Sequence, residues 1–340
     1  IANNFDIQVE ELNVEIAKNN NNWGAAGRWP TISLSVAQNN NFRDVENPAG
    51  FLHGLTISND VTPGVNVNWT LFSGFAVNIR RERLQQLESF TRGNAQVVIE
   101  NAIQAIINQY YLTQLERERL DVLETVFSLS KDRYEYVRLK GELGSAVTFD
   151  ILQEQNAFLT DSSNLVTQEI NYLNTRRTLN LLMGQDVTLT YDLTDSLGVE
   201  ASNYALDDLY ERMIASNRNL QNQYINLEIA RSDTRLAKTE LYPQLNFTAG
   251  AGYTWQRQDV SNAQFAFDDP NREELVQGRT LSYAAGFTLN YLLFDGGRVR
   301  QAIENAYTQE RISQVQIEQQ KITLRNNLMA TYDLYNVRKK

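Results

Sequence analysis

The chain repeats itself. Ile1-Ala2-Asn3-Asn4-Phe5-Asp6-Ile7, Glu15-Ile16-Ala17-Lys18 and Trp29-Pro30-Thr31-Ile32 recur in order, 213 positions on, as Ile214-Ala215-Ser216-Asn217-Arg218-Asn219-Leu220, Glu228-Ile229-Ala230-Arg231 and Tyr242-Pro243-Gln244-Leu245. Val67-Asn68-Trp69-Thr70-Leu71-Phe72-Ser73-Gly74 recurs as Leu289-Asn290-Tyr291-Leu292-Leu293-Phe294-Asp295-Gly296, now displaced by 222, so the second copy has a loop nine residues longer. Whatever the first copy folds into is therefore expected twice. Tyr110-Tyr111-Leu112 aligns with Tyr332-Asp333-Leu334, which sets Lys340 opposite Glu118. The expectation is a truncated second copy, the chain being a piece of a longer duplicated protein.

Each copy reads as helix, strand, strand, long helix. The first repeat is expected over residues 1–184, with a helix at about 2–27, strands at about 31–41 and 62–72, and long helices at about 76–140 and 146–183. A polar linker covers 185–204. The second repeat, 205–340, carries a helix, strands at about 244–257 and 280–294, and a long helix from about 298. The first helix stops before Trp29-Pro30, because proline lacks the backbone donor and pushes its predecessor out of the α region.

The strands alternate with a period of two. Ile32, Leu34 and Val36 interleave with Thr31, Ser33 and Ser35, and Val65, Val67, Trp69 and Leu71 with Asn66, Asn68 and Thr70. Leu245 to Trp255 and Leu281 to Tyr291 do the same in the second copy. Such alternation fits a soluble sandwich or a membrane barrel. The aromatics favour the barrel. Trp29 and Tyr242 lie where strands begin, and Trp69, Phe72, Tyr291 and Phe294 where they end, which in a hairpin is one level. Trp255 lies about 40 Å further along its strand, or roughly 28 Å of height at a 45° tilt, where the opposite bilayer interface falls. Four strands cannot close a barrel, since closure takes about eight; three copies sharing their sheets would give twelve.

Between Pro63 and Pro243 no proline occurs for 179 residues. The stretch from Ala76 to Leu139 is about 96 Å of helix at 1.5 Å per residue. Leu152, Leu159, Val166 and Leu173 repeat every seven, the seam of a coiled coil. Between the helices, Lys140-Gly141-Glu142-Leu143-Gly144-Ser145-Ala146-Val147-Thr148-Phe149-Asp150 reads as a turn between antiparallel helices, glycine stopping one and Ser145 or Thr148 capping the next.

The proline junctions, the paired Trp69-to-Gly74 and Tyr291-to-Gly297 segments, the turn from Arg133-Tyr134 to Leu152 and the Leu181-Leu182-Met183-Gly184 close resemble the TolC-like outer membrane efflux protein family. The resemblance implies a mainly α chain with a β-barrel part: four strands per protomer of a shared trimeric twelve-stranded barrel, continued by a coiled-coil tunnel across the periplasm. It implies a homotrimer in the outer membrane of a Gram-negative bacterium, contacting lipid, a periplasmic adaptor (membrane fusion) protein and an inner membrane pump or transporter. Gly141, Gly144, Ser145, Thr148 and Asp150 would form the adaptor-docking tip. The interval from Tyr134 to Gly144 exceeds the family's usual one, so the tip is marked by Gly141 or Gly144. The second tip would lie beyond Lys340.

Composition excludes other classes. The net charge of −10 disfavours nucleic acid, whose binding needs a basic patch; the Arg80-Arg81-Glu82-Arg83 run carries its own acid. No cysteine and a single histidine, His53, remove the commonest nucleophiles and metal ligands. His53 reads as an exposed loop residue. Asp268-Asp269-Pro270-Asn271-Arg272-Glu273-Glu274 lacks calcium-loop spacing. No catalytic, metal or cofactor site is expected, and the function expected is a passive export duct. The alternative is a secreted coiled-coil filament subunit of flagellin type, which accounts for the helical seams but not for the duplicated hairpins.

Overall fold

The computed structural model describes residues 3–46, 52–195, 202–265 and 273–339. The chain divides into two compact units, one built from Ile1–Lys18, Glu88–Ile225 and Val315–Lys340, the other from Asn19–Leu87 and Asn226–Gln314. Along the chain run α1 (Phe5–Asn20), β1 (Thr31–Val45), β2 (Leu52–Ser73), α2 (Ala76–Glu142), α3 (Thr148–Leu182), α4 (Leu206–Ser216), α5 (Arg218–Thr239), β3 (Gln244–Asp259), β4 (Ala263–Phe265), β5 (Leu275–Asn290) and α6 (Arg298–Lys339). Among the described residues no helix is long and apolar enough to cross a membrane.

The first unit is helical. α2 and α3 run antiparallel, as their cross-contacts show. Phe158 stacks on Tyr134 at 5.8 Å and meets Phe127 at 5.5 Å. Further along, Gln168 donates to the Glu116 carbonyl at 2.9 Å and its Oε2 at 2.6 Å, and Gln109 donates to the Thr175 carbonyl at 2.9 Å. The seam is thus partly polar, and the buried Gln168 amide and Glu116 carboxylate satisfy one another. Asn4 and Asn217 cap α1 and α5, accepting from the Ile7 and Leu220 amides at 3.1 and 2.9 Å. Asn217 is itself extended (φ −66°, ψ 114°), so the second copy's opening helix is two helices, α4 and α5, where one was expected.

The end of α1 corrects the expected boundary near 27. The helix stops at Asn20, and the Asn22 side chain offers the backbone another solution, donating to the Asn19 carbonyl at 2.7 Å and accepting from the Ala25 amide at 2.9 Å. Residues 22–28 form a closed turn in front of Pro30.

The second unit holds an antiparallel sheet in the order β1-β2-β3-β5, with β4 paired to the far end of β2. β1 and β2 run beyond the expected 31–41 and 62–72, because they stay paired from Thr31↔Asn68 to Val45↔Gly54. Backbone pairing continues there through Asn39 to Asp44, where the apolar alternation has lapsed. β3 reaches Asp259, two residues past the expected end, through its partner Leu275. β5 spans 275–290 and not 280–294: Asn290 faces Gln244, the first residue of β3, so Tyr291 to Phe294 have no strand opposite them. β4 is a fifth, unanticipated short strand, where the second copy's longer loop folds back on Leu52–Gly54. His53 therefore sits in β2 opposite Gln264 and not in a loop. Most of the acidic run Asp268–Glu274 lies outside the described residues. Pro63 occupies an interior strand, and the β2–β3 pairing lapses between Val61↔Trp255 and Gly64↔Gly252 without a change of register, as a residue without an N–H requires.

Candidate functional site

In antiparallel pairing, partners share a face, so the register sorts the sheet into two sides. One side stacks Ile32, Val67, Ala249 and Ala285 in a row, then Leu34, Val65, Ala251 and Tyr283, then Val36 and Pro63 with Tyr253 and Leu281 on the adjoining pair. Leu34 and Tyr283 are each 75% exposed and Phe287 70%, so none of the described residues covers this apolar side. From Leu245 to Trp255 the band is about 33 Å of strand, or roughly 23 Å of height at a 45° tilt, close to the apolar band of a membrane barrel.

Over the same band the other side is small and neutral. Ser33, Ser35, Asn66, Asn68, Thr248 and Ser282 occupy it with Gly64, Gly250, Gly252 and Gly286. Its side chains bond across strands: Asn66 Nδ2 to Ser35 Oγ at 3.2 Å, Thr70 Oγ1 to Asn246 Oδ1 at 3.0 Å, and Ser282 Oγ to the Gly252 carbonyl at 3.2 Å. A Cβ on Gly250 would lie 3.2 Å from Asn66 Oδ1, so the glycine makes room for that amide.

Six of the seven expected interface aromatics gather at one end of the sheet. The Trp69 indole donates to the Arg28 carbonyl at 2.9 Å, tying the end of β2 to the approach of β1. Trp29 is exposed beside it. Phe72 meets Phe75 edge-on at 5.4 Å, and Tyr242 packs where a Cβ on Gly74 would stand 2.9 Å away. Tyr291 and Phe294 follow β5 and are exposed. Trp255 lies towards the far end, opposite Val61 and Arg279.

The turn between α2 and α3 is also defined. The Ser145 amide bonds the Lys140 carbonyl at 2.7 Å and the Gly144 amide the Gly141 carbonyl at 3.0 Å, with Gly144 at φ +74°: a Schellman close. Gly144 thus ends α2. Gly141 stays helical, and a Cβ there would come 2.5 Å from Ile151 Cδ1, so its bareness lets the start of α3 approach. Neither Ser145 nor Thr148 caps α3. The N-cap is Val147 without a side-chain bond, and Asp150 supplies negative charge to the first turn.

Sequence reasoning missed a cluster near the aromatics. Arg28 lies 4.6 Å from the Trp23 ring centroid and Arg81 5.8 Å from it. The acid expected to neutralise the Arg80–Arg83 run points elsewhere: Glu82 pairs with Arg235 at 2.7 Å, while Arg83 pairs with Asp233 at 2.5 Å. Asp295 lies between β5 and α6. Its carboxylate accepts from the Val299 amide at 2.7 Å and the Gly297 amide at 2.8 Å, and these bonds hold its pKa below the usual carboxylate value.

Long antiparallel helices in one unit and, in the other, a sheet with an exposed apolar face and a small polar one define a mainly helical chain with a membrane-barrel part. The Outer membrane efflux protein family model matches residues 1–185 and 209–337, and the chain belongs to that family. Among curated proteins it is similar to the probable efflux pump outer membrane protein TtgC and the antibiotic efflux pump outer membrane protein ArpC of Pseudomonas putida, 19% identical over 328 residues. The match covers 94% of this chain and 63% of each relative's length. Among solved structures it resembles the CmeC outer membrane channel of Campylobacter jejuni (TM-score 0.71, 14% identity, 94% of this chain and 65% of that one). It also resembles the outer-membrane channel OprN (TM-score 0.70, 16% identity, 99% and 72%).

Proposed function

We propose that this chain is a protomer of a passive export duct in the outer membrane of a Gram-negative bacterium, extending into the periplasm. The carrying observation is the sheet: among the described residues, an apolar side left uncovered, a polar side that is neutral over the same band, and two unpaired edges, β1 and β5. Lipid solvates the first side, water fills the second, and the edges pair with those of two sister copies, since an open edge is not tolerated in hydrocarbon. Trp29, Trp69, Phe72, Tyr242, Tyr291 and Phe294 anchor one interface and Trp255 the other. Residues 1–184 and 205–340 are two copies of one unit joined by a linker; α1 and α5, β1 and β3 start 213 residues apart, and α2 and α6 start 222 apart.

In this reading the turn from Gly141 to Asp150 docks a periplasmic adaptor that couples the duct to an inner membrane pump. Gly144 has no heavy atom within 4 Å of a Cβ position, which leaves its outer side free for a partner. Opening is a population shift in which the adaptor favours splayed α2–α3 pairs. The test extracts the protein from membranes and measures its size and conductance. A detergent-dependent trimer that conducts in planar bilayers is expected, and a monomer released without detergent would refute the reading. Asp150→Arg should abolish export while sparing the trimer; unchanged export would remove the tip assignment.

A further inference from the structure

Resting on the reading that the apolar side of the sheet meets lipid, we propose that the groove beside Arg28 and Phe75 is a binding site for one anionic phospholipid, the phosphate held by Arg28, Arg80 and Arg81 and an acyl chain laid along Leu71, Phe72 and Phe75. The cavity is about 490 Å³ and is lined by Arg28, Trp69, Leu71, Phe72, Phe75 and Asn78, among others. Its lining sets Arg28 and Asn78 beside the apolar Leu71, Phe72 and Phe75. Phe72 faces the apolar side of the sheet, opposite Leu245, so the wall continues the lipid-facing band.

The charge is the selective part. In a chain of net charge −10, three guanidinium groups converge on the 22–28 turn: Arg28 and Arg81 on the Trp23 ring, and Arg80 Nη1 3.7 Å from the Cβ position of Gly27. None of the three has a carboxylate partner among the described residues, whereas Arg83, next along the helix, has one. Arg81 Nη1 is buried and without a hydrogen-bond partner. Arginine presents a fork of donors that fits phosphate oxygens, and a ring beneath it keeps the group planar to its target.

Phe75 supplies a second, independent observation. It is the one described non-glycine residue at positive φ (+67°), it is 64% exposed, and its counterpart in the second copy is Gly297. A strained backbone that holds an aromatic ring in the open is retained where the ring has a task. The basic groups are also peculiar to the first copy, where Arg28, Arg80 and Arg81 correspond to Leu241, Ala302 and Ile303.

The test titrates the full-length protein in detergent with phosphatidylglycerol and with phosphatidylcholine, counting bound lipids by native mass spectrometry, with inorganic phosphate as a competitor. One phosphatidylglycerol per protomer is expected in preference to phosphatidylcholine. Arg80→Gln with Arg81→Gln should weaken it about thirtyfold, the loss of two guanidinium attractions to an anionic headgroup. Phe75→Gly should shorten lipid retention while relieving the backbone, so a folding defect cannot mimic the result. Equal binding of both lipids, retention unchanged in the arginine variant, or full displacement by inorganic phosphate would overturn the proposal. Dissociation of the oligomer by the arginine variant would also overturn it, assigning the cluster to a subunit contact. A protein that conducts yet shows no lipid preference sinks this site alone; one that never enters bilayers sinks the duct as well.

Discussion

Gly144 and Gly184 end consecutive long helices in the same way, the Gly184 and Gln185 amides bonding the Leu181 and Asn180 carbonyls at 3.0 and 2.9 Å. Their surroundings differ. A Cβ on Gly144 meets nothing within 4 Å, whereas one on Gly184 would stand 1.8 Å from the Asn3 carbonyl oxygen. Gly144→Ala should therefore cost only the left-handed conformation, about 1 kcal/mol, and Gly184→Ala that plus a clash with fixed backbone, about 3 kcal/mol or more. Thermal unfolding of the two variants checks the order. At Asp295 the sign follows from its lowered pKa. The folded carboxyl gives up its proton more readily than an unfolded aspartate, so its hold on the start of α6 is complete above about pH 4 and is lost as pH falls below that. Hydrogen exchange at the Val299 and Gly297 amides should rise over that range in the wild type but show no such step in Asp295→Asn. Residue-scale chemistry of this kind was the least legible in sequence. Gly141 and Gly144 looked equivalent until Ile151 was seen against one of them, and Glu82 looked like a partner for its neighbours until Arg235 claimed it.

The strands were legible as elements because each must present one face to a different solvent from the other, and a period of two writes that directly into the chain. Leu34→Lys should therefore cost about 2–4 kcal/mol of barrel stability in bilayers, and Ser35→Lys, one residue on but facing the polar side, close to nothing. Folding into vesicles of graded urea concentration distinguishes them, and equal costs would mean that the two sides share one solvent. Strand ends were not legible for the converse reason. Beyond Val36 the apolar alternation lapses and the hairpin is held by the backbone ladder with polar cross-strand bonds such as Thr56 Oγ1 to the Arg43 carbonyl at 3.2 Å, and Tyr291 to Phe294 look like strand but have no strand partner opposite. The helix ends failed similarly: Asn22 and Asn217 break helices with side-chain bonds that compete locally with the backbone ladder, and nothing in the apolar pattern marks them. The buried Gln168–Glu116 contact adds a further expectation. Gln168→Leu strips the amide from an acid that is 8% exposed and should destabilise the α2–α3 pair by about 1–3 kcal/mol, as read from its melting.

For the whole molecule, the free edges of the sheet give the most direct test. β1 and β5 are separated by β2 and β3, about 14 Å at ordinary strand spacing, too far for a disulfide within one chain. These 340 residues include no cysteine. A protein carrying Leu34→Cys together with a cysteine at Leu281, Tyr283 or Ala285 should, on oxidation, link into covalent trimers on a denaturing gel; monomers at every pairing would refute the shared barrel. The same geometry governs how such a chain comes into being. A newly made copy that reaches hydrocarbon alone brings two rows of amides and carbonyls with no one to meet them, a state more hostile than remaining outside. If three copies share one barrel as proposed, insertion and assembly are one event: solitary copies must wait in water, and it is the arrival of the third that makes entering lipid downhill.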